Sequence, residues 1–234
     1  MSNNPVKKYI KELSECALFA NVNENDIISF TEIIGAHTKL CGNGEIIIHQ
    51  DELLDKFGIV LSGTVTAVRY NTSGGSTVIA KHTASSVFGE LLACHSAQPS
   101  PVNVVAESDT VIMFISYSEL FKDHVLCSKP GVAVFKNLAS LMSAQYFRLE
   151  KKLRYMSIPS LRDRIIEFLI DCASTNAASD YTFSVPFDRE GMAQYLNVNR
   201  SALSRELSKM KKEHIIDYNK NSFRFLGDSF LGDF

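Results

Sequence analysis

The chain has 234 residues, 45% hydrophobic and 21% charged, enough apolar side chain to bury a core in one or two domains. Its formal net charge of −2 excludes a histone-like polycation. That average hides a gradient: residues 1–143 carry 10 Lys and Arg against 14 Asp and Glu, whereas residues 144–226 carry 14 against 10. A net of −4 followed by a net of +4 fits a sensing half joined to a half that approaches phosphates, with random surface charge as the plain alternative.

The opening MSNNPVKKYIKELSE is polar and lacks the apolar stretch of a secretory leader. No apolar run approaches the roughly 18–20 residues of a membrane span, so the sequence reads as cytoplasmic, with no membrane partner. Five scattered cysteines (Cys16, Cys41, Cys94, Cys127 and Cys172) suit a reducing compartment, and no C-x-x-C pair offers a zinc or redox site.

Ile10, Leu13, Ala17 and Leu18 fall at helical spacing, and a second short helix follows with Asn23 or Asn25 as N-cap. From about residue 36 to 117 short β-branched runs alternate with turns: EIIIHQ, FGIVLSGTVTAVRY, TVIAKH, NVVAES and TVIMFIS. NTSGGS (71–76) reads as a hairpin turn, and the whole stretch as a small antiparallel sandwich or barrel. After Pro130 comes one long helix in which Phe135, Ala139, Met142, Tyr146, Leu149, Leu153 and Met156 recur at spacings of 4, 3, 4, 3, 4, 3. That heptad predicts a two-stranded seam between copies of the chain; packing on its own barrel is the alternative, and both can hold. The helix should stop before Pro159, where 157–160 forms a break and a candidate hinge. Ser160 then caps a further helix, with Asp163 three residues on. The domains expected are 1–130, 131–157 and 158–234.

The last segment meets the steric demands of a helix-turn-helix. Asp188 caps a short helix, Ala193 permits close crossing, and Asn197 tolerates a left-handed turn. Met192, Leu196, Val198, Leu203 and Leu207 form a shared apolar core, with Met210 continuing the inward stripe. Asn199 caps the second helix and aims its free amides outward. IIDY-NKN-SFRFL then supplies a hairpin, the wing.

With FGELLA (88–93) and NVNRSALSREL (197–207) placed around a heptad helix, the chain resembles the catabolite-activator/FNR (Crp/Fnr) superfamily of bacterial transcription regulators over roughly residues 15–226. The resemblance implies an α+β chain: a cyclic-nucleotide-binding-like β-roll (jelly roll), a long dimerisation helix and a C-terminal winged helix-turn-helix. It implies a homodimer on a near-palindromic operator, with double-stranded DNA, a second copy, RNA polymerase and a small-molecule effector as partners. Arg200, Ser201, Ser204 and Arg205 match the positions that family members direct at bases. Arginine pairs bidentately with guanine, and serine hydroxyls donate or accept. Many relatives carry glutamate where Ser201 stands, so the preferred half-site should differ from theirs. Arg189 and Asn199 suit phosphates, whereas Lys209, Lys211 and Lys212 stand evenly between phosphate contact and plain solubility.

The effector pocket implied by the resemblance contains Gly89, Glu90 and Leu91, with Leu149 on the dimer helix. Cyclic-nucleotide binders of the family carry an Arg-Ser or Arg-Thr pair about ten residues after that motif; Ser100-Pro101 stands there instead. Without that arginine a cyclic phosphate lacks its cation, which argues against cyclic AMP. A structural role for Glu90 is the equal alternative. Cys16 and Cys41, 25 residues apart, lack the spacing for an iron–sulfur cluster. His82 is the one candidate ligand for haem, against the commoner reading of a lone histidine as structural. The cofactor is otherwise unspecified. Two other classes compete: a cupin-like enzyme, whose His-x-His pattern is missing from the isolated His37, His49, His82 and His95, and a dimeric protein-interaction module.

Overall fold

The computed structural model describes residues 5–70, 75–95, 97–176 and 182–226, and divides into two units, Met1–Ala144 and Gln145–Phe234. The first begins with α1 (Pro5–Lys8), α2 (Ile10–Glu15) and α3 (Glu24–Ile33). The helix read through Ala17 and Leu18 ends earlier, because Cys16 is extended, and a 3-10 turn at Ala17–Phe19 delivers Leu18 and Phe19 to the core. Of the two cap candidates Asn23 is used: its side-chain oxygen accepts from the Asp26 amide at 2.9 Å.

Eight strands follow: β1 (His37–Cys41), β2 (Ile46–Ile48), β3 (Lys56–Ser62), β4 (Thr64–Tyr70), β5 (Ser76–Thr83), β6 (Val87–Phe88), β7 (Asn103–Ala106) and β8 (Thr110–Ser116). They form two antiparallel sheets ordered β1-β8-β3-β6 and β2-β7-β4-β5, the β-roll expected. Most of the turn at 71–76 lies outside the described residues, but β4 and β5 pair antiparallel on either side of it, from Thr64↔Thr83 to Tyr70↔Ser76. Strand alternation builds two cores at once. Val60, Ile112 and Phe114 join Val65, Ala67, Val104 and Phe88 inside the roll. Phe57, Ile59, Leu61, Met113 and Ile115 point the other way, against the N-terminal helices. Burying each of the larger of these side chains contributes about 1.5–3 kcal/mol.

Between β6 and β7 lies α4 (Glu90–Cys94); α5 (Tyr117–Leu120) and α6 (Asp123–Leu126) lead into the long α7 (Lys129–Ser157). Ser128 starts α7, its hydroxyl accepting from the Gly131 amide at 3.1 Å. The helix carries two apolar stripes. Val134 and Leu138 are buried on the N-terminal unit's core, and Asn137 donates to the carbonyls of Leu18 and Ala20 at 3.0 and 2.9 Å. The heptad stripe is largely uncovered in the single chain: Phe135, Tyr146, Leu149, Leu153 and Met156 are 42–65% exposed. Met142 departs from it, half-buried with its sulfur 3.8 Å from Cys94 Sγ.

The second unit holds the end of α7, α8 (Leu161–Asn176), β9 (Thr182–Ser184), α9 (Arg189–Tyr195), α10 (Arg200–Lys212), β10 (Ile216–Asn219) and β11 (Ser222–Phe225), with a sheet ordered β10-β11-β9. The break at 157–160 is present: α7 stops at Ser157 and the Ser160 hydroxyl accepts from the Asp163 amide at 3.3 Å. It lies inside this unit because the last turns of α7 are fastened to α8. Buried Tyr155 donates its hydroxyl to Asp171 at 2.5 Å, Arg154 reaches the same oxygen at 2.6 Å, and Arg154 also pairs with Glu167. Burial and the Asp171 carboxylate both push the Tyr155 phenol pKa upward. Among the described residues no helix is long and apolar enough to cross a membrane.

A Cβ at Gly131 would stand 1.9 Å from the Val125 carbonyl oxygen, a backbone atom that cannot step aside. Gly131→Ala should therefore lower stability by about 1–3 kcal/mol in urea titration. Gly42→Ala, with nothing within 4 Å of the added carbon, should stay within about 0.5 kcal/mol of the parent.

Candidate nucleic-acid interface

Asp188 opens α9 by accepting from the Gly191 amide at 2.7 Å. The chain then reverses at Asn197, which adopts φ 53°, and the Val198 amide bonds back to the Ala193 carbonyl at 2.9 Å. Asn is the non-glycine residue that bears this geometry at least cost. Met192, Ala193, Leu196, Leu203, Leu207 and Met210 are each at most 2% exposed. With Leu203, Leu207 and Met210 turned inward, Ser201 and Arg205 stand on the opposite side of the first turns of α10, Ser204 flanks the buried stripe, and Arg200 sits at the exposed start of the helix. Arg200, Ser201 and Arg205 are exposed and Ser204 is half-buried.

Asn199 is the cap. Its side-chain oxygen accepts from the Ser201 amide at 2.9 Å and from the Ser201 hydroxyl at 2.5 Å. In the free chain the Ser201 hydroxyl is therefore turned toward the cap.

Glu206 of α10 and Glu213 at its C-cap are drawn away from this face. Arg162 of α8 bonds Glu206 at 2.7 Å and Glu213 at 2.6 Å, holding the Glu213 carboxyl below its usual range. Arg164 donates to the Ile158 carbonyl at 2.7 Å and to the Leu196 carbonyl at 3.2 Å, tying the interhelical break to the turn of the motif. Neither contact has a spacing signature, so sequence reasoning misses both.

Arg189, which the sequence suggests for a phosphate, packs on the wing. Its guanidinium lies over the rings of Tyr218 and Phe223, 5.0 and 5.5 Å from their centroids, and burial lowers its pKa. It buttresses the wing formed by β10 and β11. The lysines also separate: Lys211 pairs with Asp217 at 2.5 Å, and Lys209 stands 4.0 Å from Glu213, whereas Lys212 is exposed.

In the roll, Gly89 adopts φ 79° and leads into α4; Glu90 is buried, 4% exposed, and Leu91 is 44% exposed. His82 of β5 packs its ring 5.9 Å from that of Phe88. Burial lowers its pKa, opposed by the Glu90 charge and a hydrogen bond to the Val87 backbone. Those contacts fit a structural histidine. Leu149 belongs to the other unit, in an apolar groove with Tyr146, Glu150 and Leu153. Ser100 is engaged at every polar atom: its amide bonds the Glu52 carbonyl, its carbonyl the Asp51 amide and its hydroxyl the Val102 carbonyl, each at 2.8 Å. Exposed Arg69 of β4 brings a cation to this loop, reaching the Pro101 carbonyl at 3.4 Å.

A β-roll, a long helix and a winged helix-turn-helix define the architecture of a DNA-binding transcription regulator. Comparison with known proteins agrees: residues 39–122 match the cyclic nucleotide-binding domain, and residues 163–226 match the Crp-like helix-turn-helix domain. The chain is 23% identical over 217 residues to the probable transcriptional regulator flp of Lacticaseibacillus casei, covering 93% of this chain and 94% of that protein. Its fold is similar to the Thermus thermophilus catabolite activator protein, with TM-score 0.53 at 18% identity over 89% of this chain and 93% of that one. It is also similar to the c-di-GMP responsive regulator CLP of Xanthomonas campestris, with TM-score 0.52 at 15% identity over 88% and 100% of the two chains. The chain belongs to the Crp/Fnr family of transcription regulators.

Asn197→Gly should leave the C-terminal unit as stable as the parent, whereas Asn197→Val, a β-branched residue at φ 53°, should cost about 1–2 kcal/mol in thermal or urea unfolding.

Proposed function

We propose that the chain acts as a homodimer that reads a near-palindromic operator through Arg200, Ser201, Ser204 and Arg205. The observation that carries this reading is the packing of α10, whose three buried apolar residues leave Ser201 and Arg205 on its other side, Ser204 beside them and Arg200 exposed at its first turn. Asn199 and the free amides at the start of α10 meet a phosphate, while Arg189 stiffens the wing. Dimerisation through α7 covers the uncovered heptad stripe, and RNA polymerase is the further partner. The family matches favour this regulator over a cupin-like enzyme or a pure interaction module.

Loss of Arg200 and Arg205 together should remove discrimination between the selected operator and a scrambled duplex, each bidentate pair being worth about 1–3 kcal/mol. Fluorescence anisotropy at several salt concentrations measures this; residual binding should stay steeply salt-dependent. Full discrimination by the double variant would contradict the assignment. Leu149→Lys with Leu153→Lys should sediment as a monomer and lose operator binding, because two cations cannot share an apolar seam.

For the roll, the reading is an effector other than a cyclic nucleotide. The 100–101 loop contributes no cation of its own, and Ser100 is used within the loop. Isothermal titration with cyclic AMP and cyclic GMP should give no heat of binding at micromolar ligand. Micromolar binding abolished by Arg69→Ala would contradict it and identify Arg69 as the substitute cation.

A further inference from the structure

We infer that Glu190 is a positioning residue for Arg200, fixing which edge of its guanidinium enters the groove and thereby the base preference at that position. The inference rests on the proposed base reading by Arg200.

Glu190 lies in the first turn of α9, where favourable interaction with the helix N-terminus would be reason enough for an acid. Its carboxylate nevertheless reaches across the motif. One oxygen stands 3.5 Å from Arg200 Nε, and the other accepts from Gln194 Nε2 at 3.4 Å. The carboxylate is thus steadied from its own helix and points at the next one.

The atom it faces matters. A guanidinium presents two bidentate edges, one made of its two terminal nitrogens and one that includes Nε. With the carboxylate nearest Nε, the side edge faces an anion and the terminal pair remains for guanine O6 and N7. The flexible arginine is also restrained before it meets DNA, so less of its rotamer freedom is lost on binding. Among the described residues no ion pair restrains Arg205 in this way. In the free protein both partners are over half exposed, at 65% and 58%, so the pair is weak. Once DNA displaces water, the same geometry operates at lower dielectric and tightens. The anion simultaneously opposes the phosphates, which lowers affinity for DNA of any sequence.

The two effects separate experimentally. Full-length parent, Glu190→Ala, Glu190→Asp and Arg200→Ala proteins are titrated against the operator selected by the parent and against single-base variants of it. Arg200→Ala locates the base pair that Arg200 reads. At that base pair Glu190→Ala and Glu190→Asp should each lose about 5–10-fold of discrimination, Asp because its shorter side chain withdraws the carboxylate. Only Glu190→Ala should also bind every duplex more tightly. In the Arg200→Ala background, Glu190→Ala should change discrimination no further. Discrimination kept by either Glu190 variant, with Arg200→Ala defective, overturns the inference and leaves base reading by Arg200 intact. Parental discrimination in Arg200→Ala overturns both.

Discussion

The left-handed reversal at Asn197, φ 53°, decides which side of α10 is buried, and the rest of the interface follows from it. The backbone bond from Val198 to Ala193 closes the turn, and close approach at Ala193 lets the second helix cross the first. Leu203, Leu207 and Met210 then have one place to go, a core shared with Met192, Leu196 and Phe223. With that side of the helix full, Ser201 and Arg205 are left on the opposite one.

Arginines fasten this motif to what precedes it. Arg162 holds α10 to α8 through two glutamates, and Arg164 joins the Ile158 and Leu196 carbonyls. Arg154 and Tyr155 converge on Asp171 from the end of α7. The interhelical break is therefore a fastened joint within the C-terminal unit, and the last turns of α7 belong to that unit. Three positive charges in this segment serve architecture, which limits what the net charge of +4 over residues 144–226 says about DNA.

Much of the fold was legible because it depends on periodicity and caps. The β-branched runs that become β3 and β8, the heptad of α7, and the caps at Asp188, Asn199 and Ser160 are local patterns, and each of these elements forms where its pattern stands. The site was legible in part. The face of α10 could be read from spacing, but the commitments of its residues could not, since they depend on partners far away in sequence. Arg189 stacks on rings 29 and 34 residues downstream, Lys211 meets Asp217 across the wing, and Glu190 meets Arg200 across a turn. Long flexible side chains choose partners by tertiary proximity, and no local pattern encodes that choice.

The central claim is that two copies present two α10 helices to one face of a duplex. Hydroxyl-radical footprinting of the full chain on its selected operator tests it directly. Two symmetric protected patches, centred about one helical turn or roughly 34 Å apart on one face, are expected. A single unsymmetric patch, or protection that ignores sequence, would contradict the account.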